Sequence, residues 1–467
     1  MHPSSHMPLW TKFRERQKSK RYKHFDRPCS LSSQAVNNYV CSPSKVAQHP
    51  FYPFIHKQIR FKKVRRHGTK IDETTLKTRD IYFCSHWDRC VYQRYSFLLS
   101  QKYESFVKEN NLNTVTIAYR SLGKSNIHFA NSAFNYITST DRCFIFITDF
   151  SSFFDTLNHQ LLKTSLKRIW KENNSKNTSL PDDLYTIYKH ITKFSYIEKS
   201  DIDKIIDEEN PTNAKCRYYL ENLSFNSFKA HVKKNTNTFG IPQGSPISAV
   251  LSNIYMADFD IGLNKIVSDR WHGKYMRYSD DILIAIPLTE NDNINNIRSE
   301  ISQYFTLNAH VAKINSKKTH SFIYHDQKFT DLCTQKQTHL DYLGFIFDGK
   351  SKRIRQRSIG KYFYRSRRKA INAGRQIERE GRIIFPRNLY DVYSTCTPRG
   401  RKNNLNNRPP RGKSNFLSYL RKAKQANILL CDSCSEHLLK QHKQRILKYI
   451  EKGKIIERSK ISKNQSA

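Results

Sequence analysis

Acidic side chains are scarce in this sequence of 467 residues: 40 Asp and Glu face 81 Lys and Arg, a formal net charge of +41. Self-repulsion on that scale opposes compaction, and a solvated surface does not need it. It points to a polyanionic partner, nucleic acid first and an anionic membrane surface second. A second absence counts against the membrane: there is no long apolar run and no signal-like hydrophobic segment. The expectation is a cytoplasmic protein that engages no membrane. Gly (14) and Pro (15) are few, which excludes a low-complexity or collagen-like chain. Paired cysteines are missing as well. The ten Cys are scattered, mostly among apolar or aromatic neighbours, as reduced core thiols are. Only Cys431-Asp432-Ser433-Cys434 has metal-ligand spacing, with His437 and His442 near it. No second pair follows, so two structural thiols are preferred over a zinc site. No internal repeat is evident.

What the chain does have is rings. Tyr 26 and Phe 28 within a hydrophobic fraction of 37% make a lean core in which aromatics do much of the packing. At roughly 150 residues per domain the length allows about three structural units. Residues 1–25 are basic and polar with Trp10, Phe13 and Tyr22, an arm that orders on a partner or against the body. A basic stretch, Lys57 to Lys70, precedes Lys77-Thr78-Arg79-Asp80-Ile81-Tyr82-Phe83, which alternates as a strand does, with Lys77 and Arg79 on one face. That face is either a solvated edge or a two-point clamp for a triphosphate. Helical periodicity runs from Asp88 to Val107 and again through Ile127, Phe129, Ala130, Phe134 and Ile137. Residues 171–235 read as a helical insertion. Ser245 and Pro246 are a good N-cap and first residue for a helix continuing to Ile261. Beyond residue 350 a run from Lys352 to Lys369 carries nine cations and no acid, and helices are expected to the end.

The chemistry lies in three acids. Cys143-Phe144-Ile145-Phe146-Ile147-Thr148 is a continuous apolar run, read as a strand buried on both faces, and it ends at Asp149. Tyr278-Ser279-Asp280-Asp281 stands between Tyr275-Met276-Arg277 and Ile282-Leu283-Ile284-Ala285-Ile286, so the pair sits at a hairpin turn. An Asp-Asp pair alone is more often an ordinary turn than a site. Beside apolar strand ends, however, carboxylates are costly unless a cation neutralises them. Nucleotidyl transfer needs acids so placed: two Mg²⁺ ions about 4 Å apart serve the attacking oxygen, the α-phosphate and the leaving pyrophosphate, and Mg²⁺ takes carboxylate and water oxygens.

At this point the ordered set Asp149-(x)4-Phe154-Asp155, Gly240-Ile241-Pro242-Gln243-Gly244-Ser245-Pro246-Ile247-Ser248, Tyr278-Ser279-Asp280-Asp281, Asn315 with Lys318-Thr319, and Tyr342-Leu343-Gly344-Phe345 resembles the motifs of bacterial reverse transcriptases. The resemblance covers roughly residues 70–350 and is specific as a set, although each motif alone is weak. It implies an α+β right-hand polymerase with fingers, a palm of antiparallel sheet and helices, and a helical thumb. Residues 1–69 would be a basic extension, 70–350 fingers and palm, and 351–467 a basic thumb and tail. The implied activity is RNA-directed DNA synthesis from dNTPs with two Mg²⁺ ions, or Mn²⁺ in their place.

Carried over by position, Asp149, Asp280 and Asp281 would be the catalytic metal ligands. Phe154 would be the ring under the sugar that leaves no room for a 2′-hydroxyl. Gln243 and Gly244 would line the nucleotide pocket, Lys77 and Arg79 would hold the triphosphate, and Lys318 would assist pyrophosphate departure, a solvated lysine being the competing reading. Tyr342, Leu343 and Gly344 would be the primer grip. Lys23-His24-Phe25-Asp26 and Tyr119-Arg120 with Gly123-Lys124-Ser125-Asn126-Ile127 are similar to defence-associated, antiphage reverse transcriptases. That group implies a noncoding RNA template, a DNA product and a companion protein or homo-oligomer. No nuclease motif and no Val-Thr-Gly signature favour the mobile-intron or retron branches. Untemplated or protein-primed synthesis uses the same motifs and stays open, whereas the intact acid triad speaks against an RNA-binding scaffold without turnover.

Overall fold

The computed structural model describes residues 7–17, 22–67, 70–171, 179–209, 216–381, 389, 416–429 and 433–465. The chain divides into two compact units. The first comprises Met1–Arg120, Ile147–Ile284 and Asn293–Thr319; the second comprises Ser121–Phe146, Ala285–Asp292 and His320–Ala467.

In the first unit, strands β1 (Phe54–His67) and β2 (Lys70–Phe83) form a long antiparallel ribbon, paired from Ile55↔Phe83 out to His67↔Lys70. β4 (Ser195–Glu198) lies parallel to Phe54–His56 at its base, and β5 (Lys233–Lys234) closes the sheet in the order β2-β1-β4-β5. The stretch expected to be a helical insertion is therefore mixed. Helices Asp182–Thr192 and Lys199–Glu209 flank a strand, because the edge of β1 at Phe54–His56 pairs with Tyr196–Glu198. Ile197 is fully buried and joins Phe25, Ile55, Ile202, Ile205, Tyr219 and Phe228 in one cluster. The last residues of β3 (Cys143–Asp149), the first of β7 (Asp281–Pro287) and all of β6 (Lys274–Tyr278) form the sheet that carries the acids. The apolar run before Asp149 is buried almost throughout, as a strand covered on both faces should be.

The helix His86–Glu109 is the unit's longest core element. Its first turn is capped from outside: Asp26 accepts from the backbone N–H of His86 (2.9 Å) and of Trp87 (2.8 Å). His24 makes a hydrogen bond to the Phe83 carbonyl, and burial pushes its imidazole down to about 3, so it is neutral there. Lys23-His24-Phe25-Asp26 is thus a clasp between the N-terminal segment, β2 and this helix. The described residues of the arm, 7–17 and 22–25, pack against the body. The arm's helix Met7–Arg16 buries Trp10 on Phe97, with Arg94 over the indole at 4.6 Å.

In the second unit, β8 (His320–His325), β9 (Lys328–Asp331) and β10 (Gln337–Thr338) continue from the first residues of β3 in the order β10-β9-β8-β3, with the end of β7 on the far side of β3. A separate three-stranded sheet is made of β11 (Leu340–Tyr342), β12 (Phe345–Phe347) and β13 (Lys352–Ile354). Helices Gln356–Glu380, Phe416–Gln425 and Ser433–Gln465 follow. Cys431 and the side chain of Cys434 lie outside the described residues. Among those residues no helix is long and apolar enough to cross a membrane.

Glycine decides how closely the two longest helices of this unit cross. A Cβ on Gly374 would stand 2.0 Å from the Ile450 carbonyl oxygen, and one on Gly453 2.2 Å from that of Ile371. Backbone lies on both sides, so nothing can yield without separating the helices. Gly360, in the same helix as Gly374, has open space around it. Gly374→Val is expected to destabilise the C-terminal helices by about 1–3 kcal/mol. Gly360→Ala is expected to stabilise by about 0.5–1 kcal/mol. Thermal unfolding of the two variants side by side checks both signs.

Candidate active site

The acid turn is a strained backbone held by a buried charge. Ser279 sits at φ 63°, a region that a non-glycine residue occupies only when its surroundings insist. Arg277, one turn-length before it, is fully buried and donates from Nη1 to the Ser279 carbonyl at 3.0 Å. The same guanidinium forks onto Asp260, Nε to Oδ1 at 2.8 Å and Nη2 to Oδ2 at 2.6 Å, and Asp260 is also fully buried. Tyr275 donates its hydroxyl to Asp260 at 2.8 Å, and Asn253 receives the remaining Arg277 contact at 3.3 Å. Burial acts to lower the Arg277 pKa, but the paired Asp260 carboxylate outweighs it and the net direction is up. The pair is charged and saturated with hydrogen bonds.

On this support the turn projects Asp280, half-buried, and Asp281, exposed at the first position of β7. The Asp280 carbonyl accepts from the N–H of Phe150 at 3.2 Å, which joins the turn to the residue after Asp149. Asp149 ends β3 at 6% exposure. Its carbonyl accepts from Asn315 N–H at 2.8 Å, and its Oδ2 pairs with the Lys318 ammonium. Its Oδ1 is buried with no hydrogen-bond partner. Thr148 and Thr319 share a hydroxyl hydrogen bond at 2.7 Å and hold the Asn315–Thr319 segment against the strand end. The structure thus brings Asp149, the Asp280-Asp281 turn and Lys318 to one locality.

The second locality is a loop laid over β2. Gln243 accepts from the Tyr82 N–H at 2.8 Å, and Gly244 (φ 121°) runs so close that a Cβ would stand 2.5 Å from the Tyr82 carbonyl oxygen. The same Cβ would be 3.5 Å from Ile81 Cγ2. Side chains of a strand alternate, so Ile81, Arg79 and Lys77 share the face of β2 that this loop covers at its base. Lys77 and Arg79 are exposed, and none of the hydrogen bonds given above joins them to the three acids. Phe154 lies in the 3-10 turn Phe153–Asp155, its ring 5.5 Å from Phe153 and its carbonyl accepting from Ile241 N–H at 2.9 Å. The Gln243 amide donates to Asp155 at 3.2 Å. Burial raises the Asp155 pKa; the Gln243 bond opposes this and Asp80 adds to it. The loop also changes where the next helix begins. Residues 243–247 are spent turning over β2, so the helix starts at Ser248, not at Ser245 and Pro246.

In the second unit, Tyr342, Leu343 and Gly344 form the β11–β12 turn, with Leu343 at φ 47° and Gly344 at φ 94°. Asn126 Nδ2 donates to the Leu343 carbonyl and to the Tyr419 hydroxyl, both at 3.0 Å. Asn126, Asp155, Asn253, Asp260 and Arg277 were not singled out for these roles by sequence. Asp258, on the same helix, is exposed and paired with Arg168, while Asp260 is the buried partner. The available signal was Arg277 itself, a charge inside an apolar strand that had to have an acid.

Among the described residues, no group of three or more His, Cys, Asp or Glu side chains is gathered as a ready metal cluster. The donor chemistry nevertheless suits a hard divalent cation. Asp149, Asp280 and Asp281 offer carboxylate oxygens only, and Asp149 Oδ1 is an orphaned buried acceptor.

A family model described as reverse transcriptase (RNA-dependent DNA polymerase) matches residues 97–347. That match takes in the three acids, Lys318 and the Gln243–Gly244 loop, but not Lys77 and Arg79 on β2, and it supports the right-hand polymerase fold expected above. No curated protein matches the chain. Among solved structures it is similar to apo telomerase from Candida tropicalis truncated from the C-terminal domain, at 13% identity and TM-score 0.43 over 72% of this chain and 63% of that one. It is also similar to telomerase from Candida albicans in complex with a TWJ fragment of telomeric RNA, at 12% identity and TM-score 0.40 over 93% and 59%. The chain spans about three fifths of the length of those structures.

Asp260→Asn leaves Arg277 buried without its countercharge and is expected to cost about 3–5 kcal/mol. Chemical denaturation checks this; a loss under 1 kcal/mol would mean that the pair does not hold the turn.

Proposed function

Because the chain belongs to the reverse transcriptase (RNA-dependent DNA polymerase) family, we propose that it extends a primer 3′-hydroxyl with dNTPs on an RNA template. The observation that carries the reading is Asp149: a buried carboxylate with one oxygen on Lys318 and the other unpaired, joined through Phe150 to the Asp280-Asp281 turn. Asp149, Asp280 and Asp281 would hold two divalent ions, Mg²⁺ or Mn²⁺. When bound, such ions activate the attacking hydroxyl and neutralise charge on the phosphates. The chain's own work is positioning. Lys77 and Arg79 bind the triphosphate. Gln243, oriented by Asp155, and the bare backbone of Gly244 border the nucleotide. The Phe154 ring occupies the space of a 2′-hydroxyl. Lys318 hands a proton or a countercharge to the departing pyrophosphate. Tyr342, Leu343 and Gly344 carry the primer strand.

Fingers and palm are assigned to roughly residues 70–350, with 171–235 inserted and a basic thumb and tail from 351. The biological reading is bacterial antiphage defence on a noncoding RNA, supported by the Lys23–Asp26 and Tyr119–Ile127 stretches and by the charge of +41. Protein-primed or untemplated synthesis is the second reading, since it would use the same acids.

Primer extension tests the proposal. Asp280→Asn with Asp281→Asn is expected to lower the rate by roughly 10³-fold or more, equivalent to about 4 kcal/mol of lost transition-state stabilisation. Equal rates for wild type and this variant would remove the catalytic assignment. Phe154→Ala is expected to relax discrimination against NTPs by roughly 10²-fold; unchanged discrimination would return Phe154 to a packing role. Sequencing the nucleic acids that co-purify with the protein, and those it makes, identifies template and primer.

A further inference from the structure

Resting on that polymerase reading, we propose that Tyr119 is a contact site for the terminal nucleotide of the strand being extended, and that its hydroxyl couples this nucleotide to the turn bearing Asp280 and Asp281. Tyr119 is a large ring left 50% exposed directly after the buried run Val115–Ala118, and its hydroxyl is 3.1 Å from Ser279 Oγ. Both residues are non-glycine and both have positive φ, 61° and 63°. Two left-handed residues in direct contact are maintained only if the surrounding chain over-determines them.

It does. Residues Val115–Ile117 lie parallel to the end of β6, with Arg277 N–H on the Val115 carbonyl at 2.7 Å and Ile117 N–H on the Arg277 carbonyl at 3.1 Å. Asn253 donates to the Ala118 carbonyl at 2.9 Å. On the other side Arg120 is clamped to Glu104 through two nitrogens, at 2.9 and 2.6 Å, and to the Thr116 carbonyl at 2.8 Å. The residues before and after Tyr119 are therefore fixed, and the ring between them is aimed at the turn yet not covered. A core ring would be buried, and a ring serving only the Ser279 bond would not need an exposed face. For nucleotidyl transfer the 3′-hydroxyl must come to the acids of this turn, so the last nucleotide of the strand passes within reach of the ring. Every base offers a π-face, so stacking there is sequence-tolerant, as extension requires.

The test couples the ring to the base it touches. Binding of an RNA template with a DNA primer is measured by fluorescence anisotropy for wild type, Tyr119→Ala, Tyr119→Leu and Tyr119→Phe. The primer ends either in an ordinary nucleotide or in an abasic tetrahydrofuran residue. Removing the terminal base is expected to weaken wild type and Tyr119→Phe about tenfold. Tyr119→Ala and Tyr119→Leu should bind the ordinary primer about tenfold more weakly, and losing the base should cost them nothing further. Tyr119→Phe should also extend the primer several-fold more slowly, having lost the bond to Ser279. If Tyr119→Leu, which keeps bulk without a flat face, senses the missing base as wild type does, the proposal is overturned. Extension by wild type on the ordinary primer is read in parallel. Its absence would defeat the polymerase reading, whereas a missing ring–base coupling alongside normal extension would defeat only this inference.

Discussion

The Arg277–Asp260 pair is the constraint on which the acid site depends. Both side chains are wholly out of solvent, where each ion pays several kcal/mol in lost hydration. An apolar pair of similar volume would avoid that cost, so stability alone does not explain the arrangement. Arginine contributes a rigid fork. Two of its nitrogens are taken by the Asp260 carboxylate and the third reaches the Ser279 carbonyl and Asn253. A carbonyl held from behind fixes the peptide plane after it, and so the directions in which Asp280 and Asp281 leave the turn. Lysine could match the charge but not three directed contacts in one plane. The interaction exchanges hydration energy for orientation.

The Gln243–Gly244 loop solves the same problem with backbone in place of charge. Gly244 and the Tyr82 carbonyl approach more closely than any side chain allows, and Gly240 (φ 88°) passes the Asp155 carbonyl less tightly, with a Cβ there 3.0 Å from the oxygen. Loop and ribbon are therefore registered by main-chain bonds, and only Gln243, Asp155 and Phe154 are left with side chains to present. Asp149 is compensated by Lys318 on one oxygen only, so the local field retains a place for positive charge even in a chain of net +41.

The elements legible in the sequence were those written in local chemistry. The apolar run ending at Asp149, the hairpin with its acids at the turn and the helical periodicity from Asp88 to Val107 all have the pattern and punctuation that generate them. What was illegible was set by distant partners. Ser245 and Pro246 are locally ideal for starting a helix, but the chain between Gln243 and Ile247 is committed to β2. Ser195–Glu198 becomes a strand because Phe54–His56 offers an edge. Asp258 and Asp260 are two positions apart on one helix, and only the position of Arg277 decides which of them is buried.

The same reasoning explains why the polar motifs of the N-terminal half gave a resemblance but no chemistry. A polar side chain acquires its role from whichever backbone group would otherwise be unsatisfied nearby. Asp26 meets the free N–H groups at the start of the helix His86–Glu109. Asn126 meets the Leu343 carbonyl in a turn whose residues are left-handed and cannot satisfy one another. Arg120 meets the Thr116 carbonyl and the Glu104 carboxylate. None of the three needs to touch a substrate to be indispensable. Each holds a strained or orphaned stretch of main chain beside residues assigned to substrate, and no local pattern reveals which stretch that is. In this chain the acids to which the chemistry is assigned announce themselves at strand ends, whereas the groups that would aim them become visible only through the backbone they satisfy.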